Sequence, residues 1–215
     1  MKTINKMITK QLNTGSLLLV GLLSTALILS GCNQSDDPTP LEAFLIGNLP
    51  ADPPTGFNPT TGAPTGTTGK FTLFSFATGE PVSNSDSLTN KWDIGFRATT
   101  IIVNGGKDRK GNGGIQILTG TSFDQVKEAP ESGYATDDGS NLAVPSSWYN
   151  YNATAKIVTP LAGNVFVIRT GTGKYAKMEI LSYYLDAPAS PTSANPSRYY
   201  TFKYAYQSSG SRKFE

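Results

Sequence analysis

Histidine is absent from the 215 residues, and cysteine occurs once. Without histidine there is no Ser-His-Asp or Cys-His apparatus, no imidazole ligand for zinc, and no side chain that titrates unperturbed near neutrality. Hydrolytic chemistry would have to rest on carboxylates or on a Ser-Lys pair. The carboxylates are sparse, lie mostly in turns and show no paired spacing, so the chain reads as a binding protein and not as an enzyme. Also missing is any helical apolar stripe sustained over three turns, which argues against a helical domain. Beyond Met1 and Met7 the only methionine is Met178.

The single long apolar run is N-terminal. Lys2, Lys6 and Lys10 precede Leu17 to Leu29, a run too short and too soon followed by polar residues to span a membrane, and residues 1–31 read as an export signal. Leu29-Ser30-Gly31-Cys32 resembles the bacterial lipobox, which implies that Cys32 becomes the acylated first residue of the mature chain. Acyl chains at ~0.8 kcal/mol per buried CH₂ make such an anchor close to permanent. Asn33-Gln34-Ser35-Asp36-Asp37 resembles the acidic tag that sends lipoproteins of Bacteroidetes to the outer leaflet of the outer membrane, so a surface location is expected. The leader also carries three of the 18 basic residues. Without them 15 Lys and Arg face 16 Asp and Glu, a net charge of −1, so the basic pI gives no reason to expect nucleic acid.

Residues 32–42 read as the acylated tether and 43–215 as one domain. Pro38 to Gly69 is rich in Pro, Gly and Thr, the composition of linker or loop, apart from Phe44-Leu45-Ile46-Gly47-Asn48-Leu49, a short apolar strand that docks on the domain. Beyond Gly69 the signals are strands and turns. Phe71, Leu73 and Ser75 alternate with Thr72, Phe74 and Phe76. Trp92, Ile94, Phe96 and Ala98 share one parity against Asp93, Arg97 and Thr99, the mark of a half-buried strand. Ile101 and Val103 fall on the other parity, so a bulge or cover on both faces is expected near Thr99 and Thr100. A glycine-rich, basic loop from Gly105 to Gly114 reads as a hairpin connection. Ile115–Leu118, Val165–Arg169, Tyr175–Tyr184 and Tyr199–Tyr206 read as further strands, with one helical turn capped by Ser122 before Pro130. The fold class expected is all-β, a single antiparallel β-sandwich-like domain.

Two motifs invite a functional reading and fail it. Gly171-Thr172-Gly173-Lys174-Tyr175-Ala176 fits G-x-G-x-x-A, but Ala176, Met178 and Ile180 oppose Lys177 and Glu179 in period 2, so a strand leaves the turn where a dinucleotide site needs a helix. Asp137-Asp138-Gly139-Ser140-Asn141 lacks the ligand spacing of a calcium loop and reads as a solvated turn. The 105–114 loop lacks the Gly-Lys-Ser/Thr of a P-loop; it reads as a plain turn, with an anion-binding nest as the alternative.

All ten tyrosines lie from Tyr134 onward, and Trp148-Tyr149-Asn150-Tyr151-Asn152 sets large aromatics in a polar, loop-like context. Trp92-Asp93-Ile94-Gly95-Phe96, Asn104-Gly105, the loop to Gly114, Phe123-Asp124-Gln125, Pro130 and Gly133-Tyr134 resemble the HmuY family of heme-binding lipoproteins of Bacteroidetes. Arg169-Thr170, Gly173-Lys174-Tyr175-Ala176-Lys177 and Tyr200-Thr201-Phe202-Lys203-Tyr204 continue the match in the same order. The resemblance spans about Phe71 to Tyr206. It implies an all-β fold, heme capture without catalysis, and delivery to a TonB-dependent receptor for iron acquisition.

In the family's founding member two histidines hold the iron, in the stretch matching Tyr134 to Val165, and this sequence has none. Relatives with methionine ligands exist, yet Met178 reads as core. A tyrosinate then remains as protein ligand, and Tyr149 and Tyr151 are the candidates by alignment. Phe71 matches an aromatic pocket position, and Arg or Lys would meet the propionates. The alternative is a HmuY-like scaffold for another ligand, a peptide, glycan or partner lipoprotein, with Trp148, Tyr149 and Tyr151 as a stacking surface.

Overall fold

Period-2 runs of β-branched and aromatic residues pair into sheets, and they do so throughout the computed structural model, which describes residues 39–61 and 63–215. The strands are β1 (Phe44–Pro50), β2 (Gly56–Phe57), β3 (Pro64–Thr65), β4 (Thr72–Ser75), β5 (Glu80–Val82), β6 (Ile94–Arg97) and β7 (Thr100–Val103). They continue with β8 (Gly114–Leu118), β9 (Tyr149–Asn152), β10 (Ile157–Pro160), β11 (Val165–Arg169), β12 (Tyr175–Tyr184) and β13 (Ser197–Gln207). Among the described residues the only helical segments are 3-10 turns at Asn84–Asp86 and Ser146–Trp148. The fold is all-β. The leader 1–31, Cys32 and the start of the tether lie outside the described residues; Leu41 already donates its N–H to the Phe214 carbonyl at 3.0 Å.

Two antiparallel sheets face each other. One has five strands in the order β1-β13-β12-β11-β8 and the other four in the order β5-β4-β6-β7. Their facing sides close on Phe74, Ile94, Phe96, Ile101 and Val103 from the smaller sheet, and on Phe166, Ile168, Met178 and Phe202 from the larger. Phe202 meets Phe74 edge-on at 5.4 Å and Phe96 in a stack at 5.7 Å. Each such side chain contributes about 1.5–3 kcal/mol through its removal from water.

Both outer faces are covered as well. Leu73, Trp92 and Ile102 cluster outside the four-stranded sheet, while Val126, Ala129, Val165, Val167 and Phe214 cluster outside the five-stranded one. Lys177 is caught in the second cover at 4 % exposure, its ammonium donating to the Phe123 and Val126 carbonyls at 2.8 and 2.9 Å. The segment after Ser122 forms the expected turn, with Val126 N–H donating to the Ser122 carbonyl.

Four local expectations are corrected, the first only in part. The second half of the Trp92–Val103 run is covered on both faces as expected, Ile101 and Val103 inside and Ile102 outside, but there is no bulge: β6 ends at Arg97, Ala98 and Thr99 make a two-residue turn with Ala98 at φ 48°, and β7 returns with Phe96 opposite Ile101. Paired residues share a face, so Ile101 and Val103 join Ile94 and Phe96 in the core. Trp92 precedes the strand and packs on the other face, with Leu73. The 105–114 loop is not a hairpin, because it carries the chain from β7 in one sheet to β8 in the other. Its glycines permit that crossing, for a Cβ on Gly113 would stand 2.5 Å from the Asn104 carbonyl oxygen. Asp137, finally, is 3 % exposed and not a solvated turn: its carboxylate accepts from Val103 N–H at 3.1 Å and Ala143 N–H at 2.9 Å, with the Arg109 guanidinium 3.6 Å away.

Candidate functional site

The Ala98–Thr99 turn lies at the end of the sandwich where the late aromatics gather. The 3-10 turn Ser146–Trp148 drives the Trp148 indole into the core, where its N–H donates to the Thr99 carbonyl at 3.0 Å. The ring meets Tyr149 at 4.8 Å, Tyr200 at 5.7 Å and Tyr183 at 6.5 Å. Tyr200 O–H donates to the Ala98 carbonyl at 2.8 Å, and the Tyr184 hydroxyl accepts from Val158 N–H at 2.9 Å. Arg198 reaches from the start of β13, bonding the Asp52 carbonyl at 3.0 Å and lying beside the Tyr183 hydroxyl. Burial raises the titration of both Tyr183 and Tyr200 well above that of a free phenol, so these two remain neutral.

The β9–β10 ribbon leaves this cluster directly after Trp148, with Tyr149 opposite Pro160 and Tyr151 opposite Val158. The spacing of two puts Tyr149 and Tyr151 on one face of the ribbon. Tyr149 is half-buried against Trp148, whereas Tyr151 is 57 % exposed. Neither hydroxyl has a hydrogen-bond partner among the described residues.

The sequence candidates therefore separate. Trp148 and Tyr149 come together with Tyr151 on the adjoining strand, but Trp148 is 2 % exposed and has no face free for stacking. Phe71 lies at the same end, just before Thr72, which pairs with Phe96, but on the outer side of the four-stranded sheet, half-buried beside Leu73 and Trp92 with the Arg97 guanidinium 4.4 Å above its ring. Met178 is fully buried between the sheets, paired with Phe166 and Tyr204, and no ligand reaches it. The five strands β2, β3, β5, β9 and β10 escape sequence reading: short runs such as Ile157–Pro160 carry too few residues to show a period.

A separate cleft of about 600 Å³ lies at the other end of β6, among Ser75, Thr78, Glu80, Lys91, Asp93 and Thr172. Asp93 at its wall is 4 % exposed. Burial pushes its carboxyl up to about 6, against the pull of N–H donors from Phe76 at 2.8 Å and Gly171 at 2.9 Å. These bonds tie the end of β4 and the β11–β12 turn to β6, a structural role. That turn leads into a strand, and with no helix N-terminus there Gly171-Thr172-Gly173 forms no pyrophosphate site.

Whether these residues fit a heme is decided by donor chemistry. Histidine is absent, Met178 is enclosed, and no cluster of three or more Cys, Asp or Glu side chains suited to a metal ion occurs among the described residues. A pair of axial ligands of the founding kind is not available. Of the two ribbon phenols, Tyr151 is exposed to solvent, while Tyr149 is half-buried beside Tyr183 and Tyr200.

Among solved structures, the chain is similar to apo PinO from Porphyromonas, at 17% identity over 78% of this chain and 97% of that one, with a TM-score of 0.47. It is also similar to the apo HmuY analog of Tannerella forsythia, at 19% identity over 78% and 95%, with a TM-score of 0.45. No curated protein matches the chain. The model of the HmuY protein family matches residues 68–204, from just before β4 almost to the end of β13, and the chain belongs to the HmuY family.

Proposed function

We propose that the protein is a non-catalytic, lipid-anchored surface protein that captures heme or a related tetrapyrrole at the β9–β10 ribbon. The reading rests on family membership together with one observation: two tyrosines on a single ribbon face, one supported by the buried Trp148 and the other open to solvent. Tyr149 offers a ring edge and Tyr151 a ring and an unengaged hydroxyl. Bound heme would supply an iron position open to phenolate oxygen, as in tyrosine-ligated heme proteins. Trp148 acts by holding Tyr149, and Phe71 lies on the outer face of the same end, under the Arg97 guanidinium. Delivery to a TonB-dependent receptor and anchoring through Cys32 complete the proposal.

Titration of the purified protein with ferric heme tests it. A saturable Soret shift that is lost in Tyr149→Phe plus Tyr151→Phe is expected. A free-heme spectrum at every ratio would remove the tetrapyrrole. In that event the second reading stands, a non-heme peptide, glycan or partner lipoprotein on the same ribbon, a reading favoured by the absence of histidine and the enclosure of Met178.

A further inference from the structure

Far from the tyrosine cluster, an arginine stands without an acidic partner. Arg169 closes β11, opposite Gly114 of β8 and Tyr175 of β12. The tyrosine cluster gathers at the other end of the ten-residue β12, about 30 Å away at 3.3 Å per residue. Two contacts orient the Arg169 guanidinium. Its Nε–H donates to the Asn112 carbonyl at 2.8 Å, and its plane lies 5.4 Å from the Tyr134 ring centre. The terminal amino groups have no hydrogen-bond acceptor, and no carboxylate lies within ion-pair distance, among the described residues.

Arg169 faces a cleft of about 430 Å³ whose other walls are Gly106, Gly111, Asn112, Gly113 and Thr136. No acidic side chain lines it. The three glycines pack against backbone, where a Cβ would meet the Asp137 or Asn104 carbonyl oxygen, so this part of the cleft wall is main chain; the exposed Lys107 and Lys110 belong to the same loop. The loop amides are not the donors of an anion nest: those of Gly111, Asn112 and Gly113 are spent on Asn104 Oδ1, the Gly171 carbonyl and the Asn104 carbonyl. What remains is a planar fork of N–H groups, fixed through its Nε–H, at a cleft that Thr136 also lines. That shape matches the two oxygens of a phosphate or carboxylate, which arginine binds in bidentate fashion.

We propose that this cleft is an oxyanion site in which Arg169 grips a phosphate or carboxylate group on a glycine floor. It is independent of the tetrapyrrole reading and stands or falls separately from it. The test is an NMR titration of the ¹⁵N-labelled full chain in detergent with inorganic phosphate and, separately, with citrate, at constant ionic strength. Saturable shifts are expected at Gly106, Gly111, Gly113 and Thr136 and at Arg169 Nε. The dissociation constant should rise at least tenfold in Arg169→Gln and stay within twofold in Lys110→Gln. Response to only one of the two anions assigns the group bound. Shifts that never saturate, shifts confined to Lys107 and Lys110, or an unchanged constant in Arg169→Gln would overturn the site. Should Arg169→Gln not fold, the shifts in the unsubstituted protein decide alone.

Discussion

Asp93 shows how a residue that looks like the polar half of an alternating strand becomes a buried fastening. Its two oxygens accept from Phe76 and Gly171, residues 17 and 78 positions away, which no local pattern reveals. Burial lifts its carboxyl from the ordinary 3.8 to about 6. Between these values the folded protein keeps a proton that the unfolded chain has lost. The resulting stabilisation is full below about pH 4 and fades as pH rises through 6. It amounts to about 3 kcal/mol, because each pH unit between the two titrations is worth about 1.36 kcal/mol. Asp93→Asn should therefore cost more at pH 4 than at pH 7, by that order, in urea unfolding of the two proteins side by side. An equal cost at both pH values would show that Asp93 does not titrate in this window. Trp148 teaches the same lesson from the apolar side. Its polar neighbours suggest a loop, yet the indole is enclosed because the Ala98–Thr99 turn and β13, distant in sequence, supply its walls.

Among the elements, the long ladders are legible in the sequence. Val165–Arg169 and Tyr175–Tyr184 match their expected bounds to the residue, and the early apolar segment does pair with β13. A sustained period of two is a strong signal. The partner of each strand is not legible, so a turn reads as a bulge and a crossing as a hairpin. The crossing depends on close backbone contact. A Cβ at Gly171 would stand 2.6 Å from the Trp92 carbonyl oxygen and 3.1 Å from that of Asn90, whereas one at Gly47 of β1 meets nothing within 4 Å. Gly171→Ala should thus destabilise the protein by about 1–3 kcal/mol through overpacking. Gly47→Ala should stay within about 0.5 kcal/mol, as an open surface position does. Thermal melts of the two variants check the contrast; equal melting temperatures would mean that the Gly171 turn relaxes freely.

For the whole molecule, the proposed anchor and location follow from residues ahead of the domain. Cys32→Ser should move the protein from the membrane fraction to the soluble one, read by immunoblot, and retention in membranes would argue for another tether. Protease added to intact cells should remove the domain if it faces outward; loss only after lysis would place it in the periplasm. The domain's buried carboxylates all accept from backbone N–H groups: Asp52 from Thr68 and Gly69, Asp93 from Phe76 and Gly171, and Asp137 from Val103 and Ala143. The exposed tyrosine ribbon and the Arg169 cleft sit at different ends of this frame, so a ligand at one leaves the other open.

The amino-acid sequence alone determined that the protein is built of strands, that imidazole chemistry is closed to it, and to which family its motifs point. These properties are local or compositional, and each residue carries its share of them wherever the chain runs. Only the tertiary structure decided which aromatics are walls and which are open, and which charges are fastenings and which are free. A period of two says that a strand has two faces but not what covers them, and a polar residue announces a need for partners without naming them.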